Sequence, residues 1–432
     1  MSKRVKNRSE ILITGAGASG LLAARELGKA GRKIVILEAR DRVGGRIFPL
    51  SKKDFGYAAQ GGAEFVHGPA PITRSLMREI GVSFVETKGE IWISSNGKLM
   101  RAESFLQTDQ NLLHQKLKEL KEDMPIAEFF DTYFSEEKYR PLRKSVIGMV
   151  EGYDVADPGR ISSFSLREEW LSGGHKWQQG RIIKEGYGAL LSFLESECKK
   201  NSVEIYFSQK VEAIERHEDG VVVACVRGKK YEAEKVIVTV PLPVISSIRF
   251  APPIPQKIDA VSKIGFGGVI KILLRFKDEW WATALDQDLS KLIFLRSEEI
   301  VPTWWTQYPE PYSTLTGWLA GPNALKFKNS STEEILDIAL ISLSKIFKIN
   351  REDLKDRLVN FKIINWPADP LAQGAYSYST PEAEEAYKEL REPVYDRIFF
   401  AGEALYSGKE TATVEGALAS GVEVASRILK TN

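Results

Sequence analysis

Several groups of residues in this chain have the types and the spacing to do chemistry. Gly15, Gly17 and Gly20 form GxGxxG between a β-prone run and a helix-prone run. Missing side chains there permit a tight turn and let backbone N–H groups approach a pyrophosphate at a helix N-terminus. Glu38 closes the following strand at the distance where a carboxylate accepts hydrogen bonds from an adenosine ribose, which completes a dinucleotide fingerprint. Gly44 and Gly45 allow a second close backbone approach, and the Arg46 fork beside them can pair with phosphate oxygens. Lys271 is of another kind. It interrupts the apolar run VIKILLRF, and burying an ammonium is costly unless it is hydrogen-bonded or shifted in pKa. An exposed strand face shared with Arg275 is the plainer reading of the same pattern.

The elements that must position these groups can be read from periodicity. Ile11–Thr14 predicts a strand, Ser19–Ala30 a helix with Leu21, Leu22 and Leu27 for packing, and Lys33–Glu38 a second strand, a βαβ unit. VEIYF, VEAIER, VVVACV and VIVTV, between Val203 and Val240, predict a β-meander returning to that sheet. Asp396–Leu429 predicts the strand RIFFAG, a polar loop and a helix from about Thr413. These pieces suggest one discontinuous nucleotide-binding domain (1–90, 200–250 and 391–432), with 91–199 and 251–390 forming a substrate-binding domain. The first insertion reads as mainly helical, with Leu112, Leu113, Leu117 and Leu120 at helical spacing. The second carries a helix at Glu334–Phe347, but its aromatic stretch of Trp304, Trp305, Tyr308, Tyr312 and Trp318 suits sheet and packed loops.

Composition narrows the partners. With 60 Lys+Arg against 58 Asp+Glu, no strong field draws the chain to nucleic acid or an anionic membrane, and a small partner is expected. The basic leader with Lys3, Arg4, Lys6 and Arg8 is short, lacks aromatic interleaving and precedes no secretory pattern. No apolar run approaches the ~20 residues that span a bilayer. Cys198 and Cys225 form no CxxC, so no metal site is expected and a reducing cytoplasm suits the chain.

Together GxGxxG, EAR, GGR and the C-terminal RIFFAGEALYSGKETATVEGALASG resemble the flavin-dependent amine oxidase family, over nearly the whole chain. The polyamine oxidase branch is the nearest in motif. The resemblance implies an α/β fold with a Rossmann-like FAD-binding domain and an α+β substrate domain. It implies FAD contacts from Gly15, Gly17, Ala18, Ser19 and Gly20, from Glu38, Ala39 and Arg40 at the ribose, and from Gly44, Gly45 and Arg46 near the phosphates. Gly62, Ala63 and Glu64 of QGGAEFVHG would lie beside the flavin, Val211 would reach the adenine through its backbone, and Gly402 and Glu403 would lie by the ribityl and pyrophosphate portion. The helix opening at Thr413 and Val414 would aim its N-terminus at the flavin N1/C2 carbonyl edge, where negative charge develops. Catalytic roles fall to Lys271, holding a water near flavin N5, to His67 in the substrate channel, and to Trp366 and Tyr376 as aromatic wall. Glu64 could alternatively attract a distal ammonium, and Gln60 replaces an acidic residue common in that loop.

The implied reaction moves a hydride from the carbon next to an amine nitrogen to FAD, leaves an imine that water hydrolyses, and passes the electrons to O2 to give hydrogen peroxide. Thr413 stands where monoamine oxidases complete a two-tyrosine cage, which favours a channel for longer amines. An L-amino-acid oxidase is the runner-up and needs an arginine for the carboxylate, for which Arg167 and Arg181 are available. A flavin-bearing scaffold without turnover is the least favoured reading, the chain showing no chromatin-binding module. Monomer and homodimer are both compatible with the sequence. Ala375 occupies the place of the cysteine that attaches flavin in covalent family members. Acid precipitation is therefore expected to release the yellow chromophore into the supernatant, and colour retained in the pellet would contradict non-covalent binding.

Overall fold

The computed structural model describes residues 8–102, 109–171, 179–182, 185–408 and 410–431. The basic positions Lys3, Arg4 and Lys6 lie outside them. Two large sheets dominate. The first runs in the order Arg249–Ala251, Val211–His217, Gly220–Cys225, Lys230–Val238, Arg8–Thr14, Ile34–Leu37 and Glu204–Tyr206, with Ile398–Phe400 also pairing parallel to Lys230–Val238. Its central strands are parallel and covered on both faces, which explains their nearly unbroken apolar runs. Alternation within one strand serves two cores. Ile11 and Ile13 pack with the helices Ala18–Lys29, Gly188–Lys200 and Val414–Lys430, whereas Leu12 points to the opposite core with Pro255–Lys263 and Ala383–Arg391.

Three of these helices, Gly188–Lys200, Pro255–Lys263 and Ala383–Arg391, lie wholly or almost wholly outside the segments expected to form the nucleotide-binding domain. Gly188–Lys200 falls almost wholly before the expected boundary at 199/200, yet it buries Leu190, Leu191, Leu194 and Cys198 against the first sheet's helical layer. Ala260, Val261, Ala383, Ala386 and Leu390, expected in the substrate domain, likewise pack against the first sheet. Sequence continuity suggested the limits, but each amphipathic helix follows the apolar surface that accepts its stripe.

The second sheet runs Leu358–Asn365, Val269–Phe276, Thr314–Ala320, Thr303–Trp305, Leu292–Ser297, Glu90–Ser95 and Lys98–Arg101. One face buries Ile270, Ile272 and Leu274 beneath the helix Thr332–Phe347, which is held at its start by a Ser331/Glu334 capping box. The other face carries Lys271, Trp318, Trp305, Phe294 and Arg296 toward a large cavity. Across that cavity stands the helix Arg140–Gly152. It packs Leu142, Val146 and Val150 into a helical core and presents Arg140, Lys144, Gly148 and Gly152 to the cavity. The first insertion is thus helical where expected, although the strands at 90–101 join the second sheet.

The helices Ala18–Lys29 and Val414–Lys430 cross closely. A Cβ on Gly421 would lie 2.5 Å from the Ser19 carbonyl oxygen and 3.3 Å from the Ala23 backbone nitrogen, neither of which can move cheaply. Gly421→Ala should therefore destabilise by about 1–3 kcal/mol despite its better helix propensity. Gly148 provides the contrast, because a Cβ there would meet nothing within 4 Å. Thermal unfolding should show Gly421→Ala below and Gly148→Ala at or above the parent Tm; the reverse order would refute the packing argument.

Candidate active site

The glycine turn places its groups through backbone contacts. Gly15 adopts φ +109°, which side chains rarely tolerate, and a Cβ on Gly20 would sit 2.1 Å from the Gly15 carbonyl oxygen. Gly20 consequently packs the turn. Of the expected cofactor-binding residues, it alone does not line the cavity. The helix after the turn begins at Gly17 with no side-chain cap and no acidic residue in its first turn. Its dipole and open N–H groups favour an anion, with Gly17, Ala18 and Ser19 on the cavity wall. Glu38 is buried, and its carboxylate accepts from Ala16 N–H (2.7 Å) and Arg40 N–H (2.8 Å). Two fixed donors orient the oxygens toward the same wall.

The GGR loop is pinned by residues that the motifs did not reveal. Arg42 donates to the carbonyls of Val43, Gly45 and Ile47 and lies over Phe48 at 4.2 Å. Burial, then the neighbouring Arg40 charge, pushes its guanidinium pKa down. Arg40 itself is held by Asp369 at 2.7 Å. Thr239 donates to the carbonyls of Thr14 and Gly15, a contact without local sequence signal.

Arg46, expected at phosphate oxygens, directs Nη1 elsewhere. It donates to Glu403 Oε1 (2.8 Å) and to the Ala375 carbonyl (2.7 Å), while Ser377 donates to Glu403 Oε2 (2.7 Å). The reason is charge compensation, because Glu403 is buried and needs a cationic partner. Thr413 caps the last helix by accepting from Gly416 N–H at 3.0 Å. Glu415, in that helix's first turn, turns away to accept from Ile72 N–H, Thr73 N–H and the Thr73 hydroxyl.

Lys271 lies 1% exposed, so the exposed-face reading fails. Its Nζ donates to the Gly62 carbonyl (3.0 Å) and to Glu64 Oε2 (2.8 Å), and rests 5.3 Å from the Trp305 ring centre. Glu64 also accepts from Trp305 Nε1 and Gln307 Nε2, each at 3.2 Å. This corrects the expectation that Glu64 attracts a distal ammonium, because Lys271 already balances its charge. A Cβ on Gly62 would lie 1.8 Å from the Arg46 carbonyl oxygen, so glycine is what lets this loop reach the GGR segment.

The aromatic residues divide by role. Tyr376 lines the cavity and donates to the Tyr153 carbonyl at 2.6 Å; burial first, then the Asp154 carboxylate, pushes its pKa well up, keeping it a phenol. Trp366 is buried and donates to the Gly61 carbonyl at 3.3 Å. Tyr378 joins the helical core. His67 Nδ1 lies 3.3 Å from the Tyr153 hydroxyl. Arg167 is structural, donating to the Leu120 carbonyl and lying 3.9 Å from the Phe164 ring centre; the Arg181 side chain lies outside the described residues. Gln60 is buried and donates to the Ala58 carbonyl.

All these surfaces meet in one cavity of about 1430 Å³. It takes in Ala39, Arg40, Gly44, Gly45, Gly62, Ala63, Val211, Gly402, Thr413 and Val414 as well as Lys271, His67, Trp366 and Tyr376. The volume exceeds the ~300–1,000 Å³ of ordinary ligand pockets and suits a dinucleotide together with a second molecule. Neither Cys198 nor Cys225 lines it. The open helix N-terminus and the anchored Glu38 fit an FAD pyrophosphate and ribose.

Comparison with known proteins gives the same direction. A family model described as flavin containing amine oxidoreductase matches residues 18–429. Human lysine-specific histone demethylase 2 is 28% identical over 465 residues, covering 99% of this chain but 54% of its own length. The chain thus spans about half of that relative. Polyamine oxidase 2 of Arabidopsis thaliana is 28% identical over 466 residues, covering 98% of this chain and 89% of its own. A solved putrescine oxidase variant aligns with TM-score 0.81 at 21% identity over 98% of this chain and 99% of that one, a likeness of fold.

The buried ion pair generates a test. Glu403→Ala leaves Arg46 without its carboxylate partner; buried pairs cost ~3–5 kcal/mol to break, and partial exposure of Arg46 reduces this to about 2–3 kcal/mol. Thermal unfolding and FAD retained through gel filtration should both fall, whereas an unchanged Tm would show that the pair contributes nothing.

Proposed function

The chain belongs to the flavin-containing amine oxidoreductase family, and from that premise we propose that it oxidises a polyamine-like or other extended amine, with O2 as acceptor, releasing an aldehyde and the remaining amine or ammonia. It is a flavin-dependent oxidoreductase whose cofactor is FAD. When bound, FAD supplies the two-electron acceptor for hydride from the carbon next to the amine nitrogen and returns those electrons to O2 as hydrogen peroxide. The observation that carries the reading is the continuity of one cavity from the glycine turn to the aromatic sheet face around Lys271.

The chain's own groups have distinct tasks in this reading. Gly17, Ala18 and Ser19 hold the pyrophosphate at the helix N-terminus, Glu38 the ribose, and Val211 the adenine edge. Arg46 and Glu403 set the loop that carries the ribityl region. The N-terminus of the helix capped by Thr413 stabilises negative charge at the ring. Ala375 offers no thiol, which supports non-covalent retention. Trp305, Trp318, Phe294 and Tyr376 exclude water around the reacting carbon. That matters because an amine with a lysine-like pKa of ~10.4 must lose a proton, costing about 3.4 pH units or roughly 4.6 kcal/mol at pH 7, and a poorly hydrated wall disfavours the charged form. Lys271, paired with and fixed by Glu64, holds water for imine hydrolysis or for reoxidation.

No helix among the described residues is long and apolar enough to cross a membrane. Two free, buried cysteines support a cytoplasmic setting, as a monomer or homodimer.

Anaerobic bleaching of the bound flavin by putrescine, spermidine, spermine, acetylated polyamines, benzylamine, tyramine and L-amino acids tests the reading. Bleaching by an extended amine is expected. Bleaching by amino acids alone would transfer the assignment to an amino-acid oxidase, and no bleaching would leave a scaffold. Lys271→Met should slow reoxidation or turnover by about tenfold or more with FAD still bound; unchanged kinetics would defeat its role.

A further inference from the structure

The substrate compartment has a defined axis. Lys271 pairs across the sheet with Trp318, Trp318 with Thr303, Thr303 with Arg296, and Arg296 with Ile93. All five line the cavity. Strands lie ~4.8 Å apart, so Arg296 stands three spacings, roughly 14 Å, from Lys271 along one row of side chains. The opposite wall runs alongside this row. Trp318 Nε1 donates to the Gly152 carbonyl at the inner end, and Lys144 pairs with Glu298, two residues beyond Arg296, at the outer end. Lys144 to Gly152 is eight residues, or about 12 Å of helix.

Charge is graded along this axis. At the inner end the helix Arg140–Gly152 presents its C-terminus, and Asp154 and Glu169 line the cavity close enough to raise the Tyr376 pKa. An arriving ammonium finds negative potential there. At the outer end Arg140 is matched by Glu137 and Lys144 by Glu298. Arg296 is different, because its guanidinium makes no ion pair or hydrogen bond with the described residues. It is exposed to solvent, yet enough wall surrounds it for desolvation to lower its pKa from the ordinary value. It stays cationic throughout the physiological range.

The geometry points to Arg296 as the specificity residue for the far end of the substrate, taking a carboxylate-like anion three strand spacings from Lys271. The inference rests on the amine oxidase reading for its inner end and narrows its substrate: a long amine with an anionic tail is favoured over a polyamine, whose second ammonium at that end is repelled. An α-amino acid does not meet the requirement, since its carboxylate adjoins the reacting carbon.

The holoenzyme is titrated anaerobically with aminododecanoate, diaminododecane and dodecylamine, reading flavin bleaching. A charge-assisted hydrogen bond of guanidinium to carboxylate predicts half-maximal bleaching at an aminododecanoate concentration tenfold or more below that for diaminododecane. Arg296→Gln should abolish that ratio and Arg296→Lys restore part of it, with the flavin spectrum and Tm reporting an intact fold. Equal use of the two, preference for the diamine, or an unchanged ratio in Arg296→Gln overturns the assignment. Should none of the three amines bleach the flavin, the amine oxidase reading is what suffers. The anion site is then decided by thermal shift with dodecanoate: a shift lost in Arg296→Gln upholds it, and no shift or an unaltered one overturns it.

Discussion

The Arg46–Glu403 ion pair joins side chains 357 residues apart in sequence and fixes how the two ends of the chain meet. Glu403 is buried, so its charge is tolerable only with a cation and further donors, which Arg46 and Ser377 provide. The same Arg46 reaches the carbonyl of Ala375, in the segment leading to Tyr376. One guanidinium thereby sets the relative positions of the glycine-rich loop, the C-terminal motif and the aromatic wall. Gly62, which must pass against the Arg46 carbonyl, brings the Lys271 partner loop into the same arrangement.

From that junction the cavity acquires two electrical regions of different kinds. Around the glycine turn, polarity comes mostly from backbone: an uncapped helix N-terminus, and N–H groups that hold Glu38 in place. On the substrate side it comes from side chains paired across the cavity, with Lys271 and Glu64 neutralising each other deep inside. A neutral buried pair among tryptophans keeps the reacting region apolar and still supplies a polar anchor. In the proposed reading, this suits an amine that arrives as an ammonium and gives up its extra proton before it reacts.

Local signals were legible wherever an element has a strong pattern. The βαβ unit, the strand Val269–Phe276, the long helix ending near Phe347 and the last helix, capped at Thr413, all lie where periodicity and capping residues suggest. Domain limits were less legible. Gly188–Lys200 and Ala383–Arg391 carry apolar stripes that cannot by themselves say which sheet accepts them. The site shows the same division. Glycine spacing identified the turn, but nothing near Gly20 told that it packs against Gly15, and nothing near Arg42 told that it ties three carbonyls of the following loop.

The sequence by itself determined the dinucleotide turn, the family resemblance and the presence of a lysine in an apolar strand, because each is a property of residues close together in the chain. Only the tertiary structure decided that Lys271 is paired with Glu64 rather than solvated, that Arg46 turns to Glu403, and that Arg296 shares a cavity row with Lys271. Those outcomes depend on which distant groups are brought within a few ångströms in a region that excludes water. A charge buried there must find its counter-charge in space, and distance along the chain carries no record of that choice.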